Sequence, residues 1–230
     1  MPRLVRRRVL PVPTALGAAL LVALGLAACG ALLAAAPGLY GFLAPQEPLG
    51  RGLLVVEGWI GRDALAAAAE AWREGEYEAL LTTGGPVESA WRDFPFESHA
   101  ELAAHALRGL GVPRERVTAV PSPASAQDRT FLSAVEVRRW IAAQGRSLDA
   151  VDVFSEGPHA RRSRRLYRLA LGPEVAVGVR TAPPRAYEPA RWWATSAGAK
   201  SVLTEAIGLA WVTCCFDPGE PGSRRERWGR

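Results

Sequence analysis

The sequence predicts an α/β domain with a mainly parallel five-stranded sheet and helices on both of its faces, preceded by one N-terminal transmembrane helix. Three observations predict it. Short apolar runs such as Leu53-Leu54-Val55-Val56 lack the alternation of a half-exposed strand, which means burial on both faces. These runs alternate along the chain with segments of helical spacing, the rhythm of strand–helix–strand units. Finally, Ala15–Ala36 is a 22-residue run of almost only Ala, Leu, Val and Gly, and it follows Arg6-Arg7-Arg8.

No residue from Val9 to Gln46 is charged. A helix over Ala15–Ala36 reaches about 33 Å at 1.5 Å per residue, enough for a hydrocarbon core of about 30 Å. The arginines place residues 1–13 in the cytoplasm, 14–37 in the plasma membrane and the rest outside. Two other readings stay open: a cleaved secretory signal, or a lipobox at Leu26-Ala27-Ala28-Cys29-Gly30 with Cys29 lipidated. Apolar sequence continues past Cys29 through Ala36, which favours the uncleaved anchor. All three readings put the domain on the extracytoplasmic side.

Residues 38–50 are rich in Pro and Gly and read as a linker. The domain, 51–216, opens with the strand Leu53–Val56. A helix over Arg62–Gly75 follows, with Ala and Leu at helical spacing and Gly75 as its stop. Ala79–Thr83 is the second strand, closed by Gly84-Gly85-Pro86, and Glu97–Leu110 the second helix, ended by Gly111-Val112-Pro113. Next come a strand at Arg116–Val120, a helix at Arg129–Gln144, a strand at Ala150–Phe154, a helix at Pro158–Leu171 and a strand at Val175–Val179. The stretch Ala206–Phe216 is too short to span a bilayer, so the last helix, near Ala199–Phe216, packs on the core or skims a membrane surface. Residues 217–230 read as a disordered Pro/Gly/charge tail.

Composition narrows the function. With 230 residues, 49% apolar and 22% charged, the chain is neither collagen-like, nor a disulfide scaffold, nor intrinsically disordered. The net charge of +5 belongs to the ends, because residues 41–216 hold 20 basic and 20 acidic residues. A nucleic-acid partner is therefore not expected. Cys214 and Cys215 are adjacent and poorly placed to pair, and no metal-ligand spacing occurs. The phosphate loop, the dinucleotide fingerprint and the Gly-x-Ser-x-Gly elbow are all missing, so neither cofactor nor metal is implied.

Ligands of parallel α/β sheets bind at the carboxyl ends of the strands. The richest such segment is Ser155-Glu156-Gly157-Pro158-His159-Ala160-Arg161-Arg162-Ser163, where Pro158 suits a first helical turn. His159 and Arg162 are three apart and share a helix face. A solvated basic face is the competing reading, since Arg161, Arg164, Arg165 and Arg168 recur. Gly84 and Gly85 close a strand as an ordinary turn or as a close approach to ligand. Asp128-Arg129-Thr130 opens a helix, where Asp128 or Thr130 is also a natural cap. Glu57 follows a buried strand as either a capping carboxylate or a site acid. His99 is a weaker acid/base candidate than His159.

Taken in order, Val55-Val56-Glu57-Gly58-Trp59, Thr83-Gly84-Gly85, Leu110-Gly111-Val112-Pro113, Asp128-Arg129-Thr130, His159-Ala160-Arg161-Arg162-Ser163 and Trp192-Trp193…Lys200…Thr204-Glu205-Ala206-Ile207-Gly208 resemble the YdcF-like domain family, which includes the envelope proteins SanA and ElyC. The resemblance covers about residues 51–216. It implies a Rossmann-like three-layer sandwich behind a membrane helix and a role in peptidoglycan assembly or barrier integrity. Its characteristic positions fall on Gly84, Gly85, Thr130, His159 and Arg162. The chain departs from the family pattern with His99 in place of a Glu, and with Arg129 and Leu132-Ser133 in place of amide and carboxylate positions. Those changes predict a more cationic site.

The expectation is a domain that recognises an anionic, phosphate-bearing, lipid-linked envelope precursor. His159, Arg162 and Arg129 bind the anion, with Gly84, Gly85, Asp128, Thr130, Ser155 and Glu156 around it. Two alternatives stay open. One is phosphoryl or glycosyl transfer or hydrolysis with His159 as acid/base; the other is a non-catalytic partner of envelope-assembly proteins, anchored by Trp91, Trp192 and Trp193.

Overall fold

The computed structural model describes residues 12–88, 95–145, 147–223 and 226. Its elements are α1 (Ala15–Leu43), β1 (Arg51–Glu57), α2 (Arg62–Glu74), β2 (Glu76–Gly84), α3 (His99–Gly109), β3 (Val117–Pro121), α4 (Arg129–Ala143), β4 (Ala150–Glu156), α5 (Ala160–Leu171), β5 (Ala176–Ala182) and α6 (Ser196–Cys214). The five strands form one parallel sheet in the order β3-β2-β1-β4-β5. This is the Rossmann-like α/β architecture that the apolar strand runs predict.

The strand order follows from two right-handed runs of crossovers that start on either side of β1. The helices α2 and α3 cover one face, packing Ala64, Ala68, Ala103 and Leu107 against Leu54, Val56 and Leu80. The helices α4 and α5 cover the other, packing Phe131, Val135, Leu166 and Tyr167 against Leu53, Val55, Val151 and Val153. Alternate residues of β1 thus feed two cores, which is why the run is continuously apolar. The chain reverses its winding between β1 and β4, and the carboxyl rim opens there.

Two termini of the predicted elements shift for identifiable reasons. The second helix starts at His99, because Ser98 accepts from the Glu101 N–H at 3.2 Å while Glu101 accepts from the Ser98 N–H at 3.1 Å. The fourth strand runs past Phe154 to Glu156, because Ser155 and Glu156 pair with Thr181 and Ala182 of β5.

The chain divides into two compact units, Met1–Gly38 and Leu39–Arg230. In the first, Thr14 Oγ1 accepts from the Gly17 N–H at 3.2 Å and caps the start of α1. Leu16, Leu20, Leu21, Val22, Leu24 and Leu26 are all exposed. Among the described residues no helix is long and apolar enough to cross a membrane. The longest stretch of α1 whose side chains are described without a break is 15–27. The lipobox residue Cys29 and the N-terminal arginines lie outside the described side chains.

The linker prediction is corrected. The helix passes through Pro37 and ends at Leu43, which is buried. Residues 44–50 are then stitched to the sheet: Glu47 bridges Val179, and the Leu49 and Gly50 N–H groups donate to the buried Asp152 carboxylate at 2.8–3.0 Å. Tyr77 Oη donates to the same carboxylate at 2.7 Å. Leu49 and Gly50 are thereby fixed by a partner more than 100 residues away.

Two readings of the C-terminus are corrected as well. Cys214 and Cys215 are joined by a disulfide. Cys214 is the last residue of α6, and Cys215 lies outside the helix (φ −134°, ψ −15°). The tail is not wholly without structure, since Glu226 takes a two-pronged ion pair from Arg138 at 2.6 and 2.7 Å. Within α6, Gly198, Val202 and Val212 are buried, whereas Leu203, Ile207 and Trp211 are exposed.

Candidate functional site

At the carboxyl rim the ends of β1 and β2 and the starts of α3, α4 and α5 meet α6 around a cleft of about 630 Å³. β1 delivers Glu57 and the loop after it Trp59, β2 delivers Thr83 and Gly84, and the start of α4 delivers Asp128, Arg129 and Thr130. His159 stands one residue before α5 and Arg162 in its first turn, while Glu205, Gly208 and Trp211 come from α6.

Glu57 anchors the floor. It is buried, and its two oxygens accept hydrogen bonds from Ser155 Oγ and Ser163 Oγ. His159 Nε2 lies 3.5 Å from Glu57 Oε1 and 3.4 Å from Thr130 Oγ1, and Nδ1 lies 2.9 Å from Glu205 Oε1. Arg162 donates from Nε to Glu205 Oε2 at 2.7 Å and from Nη2 to Oε1 at 3.1 Å. Its Nη2 also lies 2.9 Å from His159 Nδ1. Both nitrogens are donors once the imidazole is protonated, so Glu205 Oε1 is their shared acceptor. Gly208 lies directly against this pair, and a Cβ there would stand a tight 3.1 Å from Arg162 Cδ and Nε.

Electrostatics fix the protonation. Burial alone would push the His159 pKa down, but the Glu57 charge and the hydrogen bonds to Glu205 and Glu57 outweigh it, and the value rises to about 9. Burial pushes Glu205 up, yet its bonds from His159 and Arg162 pull it down to about 2. Burial likewise opposes ionisation of Glu57, and His159 with the two serine hydroxyls holds its pKa below the ordinary value. At neutral pH the cluster is two carboxylates, one imidazolium and one guanidinium, with no net charge.

Of the residues singled out from sequence, His159, Arg162, His99, Gly84, Gly85, Asp128, Arg129 and Thr130 all line this one cleft. Ser155 and Glu156 do not. Ser155 is wholly buried and serves Glu57, and Glu156 accepts from the Gly61 N–H at 2.9 Å at the start of α2. Gly84 has φ +147°, and a Cβ on it would fall 2.7 Å from His99 Cβ, so its missing side chain makes room for the start of α3. Gly85 has only ordinary neighbours, and a Cβ on it would face Ser122 and Pro123 at 3.7–3.8 Å. Asp128 is the N-cap residue of α4 in the left-handed region (φ 54°), yet its side chain makes no cap. Trp192 is buried and Trp193 exposed, and Trp91 lies outside the described residues.

His99 and Arg129, which carry the expectation of a more cationic site, both line the cleft, but the expectation that His159 and Arg162 are free to bind an anion is corrected by their pairing. Arg162 is committed to Glu205, and His159 to two carboxylates. Arg129, exposed at the cleft, has no ion-pair partner among the described residues. Sequence reasoning missed Glu205, left Glu57 undecided and passed over Trp59 and Trp211. Trp59 packs edge-on to the His159 ring at 5.0 Å between centroids. The available signals were a lone Glu within an apolar helix and a Trp two residues beyond a buried strand. Among the described residues no group of three His, Cys, Asp or Glu is arranged to hold a metal ion.

Comparison with protein-family models, with curated proteins and with solved structures finds no match to this chain.

Proposed function

We propose that the chain is a membrane-tethered extracytoplasmic protein of the YdcF-like kind whose cleft binds an anionic, phosphate-bearing envelope precursor. One observation carries this reading: Arg129, Thr130 and the uncapped N-terminus of α4 meet the His159 imidazolium in a single cleft. The N–H groups of the first turn of α4 have no helical acceptors, and the helix dipole adds partial positive charge there. A phosphate at this point gains a charge-assisted bond from Arg129 and bonds from the free N–H groups, while the imidazolium, 3.4 Å from Thr130 Oγ1, adds positive charge beside it. Leu166, Trp211, Val212 and Phe216 line the same cleft with apolar surface, so an apolar portion of the ligand has a wall to cover. The tether is supported by the 29-residue helix α1, which contains no charged residue. The imidazolium held at the cleft also favours a second reading, phosphoryl or glycosyl transfer or hydrolysis with His159 as proton donor.

The test is calorimetric titration of the detergent-extracted protein with inorganic pyrophosphate at pH 7 and low salt. The expected result is saturable binding that Arg129→Ala weakens about tenfold or more, since a charged hydrogen bond contributes about 1.5–3 kcal/mol. No binding to the wild-type chain overturns the reading.

A further inference from the structure

We infer that Thr130 is a nucleophilic hydroxyl, served by His159 as proton acceptor and oriented through Glu205, that attacks a phosphoric ester bound in the cleft. This rests on the anion-binding reading of the cleft and adds a reaction to it. Three groups stand in line: Glu205 Oε1 is 2.9 Å from His159 Nδ1, and His159 Nε2 is 3.4 Å from Thr130 Oγ1. A carboxylate, an imidazole with one nitrogen on each neighbour, and a hydroxyl make the nucleophile–base–orienter arrangement, which is recognised by geometry and not by chain position. Glu205 cannot swing away easily, because Arg162 holds both of its oxygens. Thr130 is the second residue of α4, so the free N–H groups of that first turn lie beside its hydroxyl, where charge develops on the non-bridging phosphate oxygens. Glu57, fixed by Ser155 and Ser163, is the counter-charge on the Nε2 side.

The step balances with water as the only other reactant. Thr130 Oγ forms a bond to phosphorus while its proton moves to His159 Nε2. The bond from phosphorus to the leaving oxygen breaks, and that oxygen takes the proton from Nε2. Water then attacks the phosphothreonine, giving a proton to Nε2, which returns it to the Thr130 oxygen as the P–O bond opens. The base form of His159 is required. The groups facing that ring are Glu57 from β1, Arg162 from α5 and Glu205 from α6, with His99, Asp128 and Arg129 lining the same cleft. Glu57 and Glu205 keep the ring protonated up to about pH 9, so reactivity rises about tenfold per pH unit from pH 6 to 8 and levels near 9.

The experiment exposes the full chain in detergent to a fluorophosphonate probe and locates the adduct by peptide mass spectrometry from pH 6 to 10. The expected adduct is on Thr130. It is lost in Thr130→Val, retained in Thr130→Ser, and rises with pH as stated. In Glu205→Gln the rise moves to lower pH, which a merely structural role for Glu205 would not produce. No adduct on Thr130, or an adduct whose rate is flat with pH in the wild-type chain, overturns the proposal without relying on any variant. Pyrophosphate titration of the same samples separates the two readings: binding without an adduct removes the nucleophile and leaves the anion site standing. An adduct without pyrophosphate binding removes the anion reading and, with it, the phosphoric ester as the substrate of this step.

Discussion

His159 holds its proton because carboxylates face it from two sides, so the folded chain binds that proton more tightly than the unfolded one does. A tenfold change in proton affinity corresponds to about 1.4 kcal/mol. The rise from 6.5 to about 9 is therefore a stabilisation of about 3 kcal/mol. The folded pKa is the higher one, so this contribution is complete below about pH 6.5 and is lost as pH rises through about 9. Glu205 runs the other way: its contribution is present above 4.5 and is lost as pH falls toward 2. His159→Gln leaves the buried Glu57 carboxylate without its cation and Glu205 with Arg162 alone. We expect it to lower stability at pH 6 by about 3 kcal/mol and to flatten the decline between pH 6.5 and 9.5, read by urea denaturation. An equal pH slope in wild type and variant would contradict the assignment. Gly58 gives a second test, because a Cβ there would stand 2.5 Å from the carbonyl oxygens of both Thr83 and His99. Gly58→Ala should cost about 2 kcal/mol or more and lower Tm by about 4–8 °C. Gly109→Ala, with open space around it, should change Tm little or raise it.

The start of α3 shows what one capping residue does for an element that lines the cleft. The Ser98 side chain and Glu101 satisfy two otherwise orphaned donors, and the helix then presents His99 at the rim. Ser98→Ala is expected to cost about 1 kcal/mol. Hydrogen exchange at the Glu101 amide should speed up while exchange in β1 is unaffected; unchanged protection at Glu101 would sink the capping argument. The existence and order of the strands and helices were legible in the sequence because each carries a periodic apolar pattern. Their ends were less so. Ser155 belongs to β4, yet it is a polar residue buried by a bond to Glu57, and no hydropathy pattern encodes such a partner. The same holds for residues 44–50, whose order depends on Asp152.

For the molecule as a whole, the proposed anchor makes a prediction about sidedness. An enzyme reporter that works only outside the cytoplasm, fused after Phe216, is expected to be active. An inactive fusion together with an active cytoplasmic reporter would refute the orientation. The strand order β3-β2-β1-β4-β5 explains how the cleft forms, because the ends of β1 and β2 and the starts of α4 and α5 share one rim beside the point where the winding reverses. Parallel strands alone place all these ends on one rim, so the gathering of Gly85, Thr130, His159 and Arg162 was within reach of the sequence.

By itself the sequence determined the α/β class, the parallel sheet and the rim on which to look, because burial on both faces of a strand is written as a continuous apolar run. Only the tertiary structure decided which charges meet. Arg162 and His159 looked like free anion ligands along the chain, and packing against α6 pairs them with Glu205, 43 and 46 residues away. It also set Glu57 behind the imidazole and Thr130 before it. Hydropathy and spacing are properties of neighbours in the chain, whereas a charge balance depends on distances through a folded, poorly solvated interior.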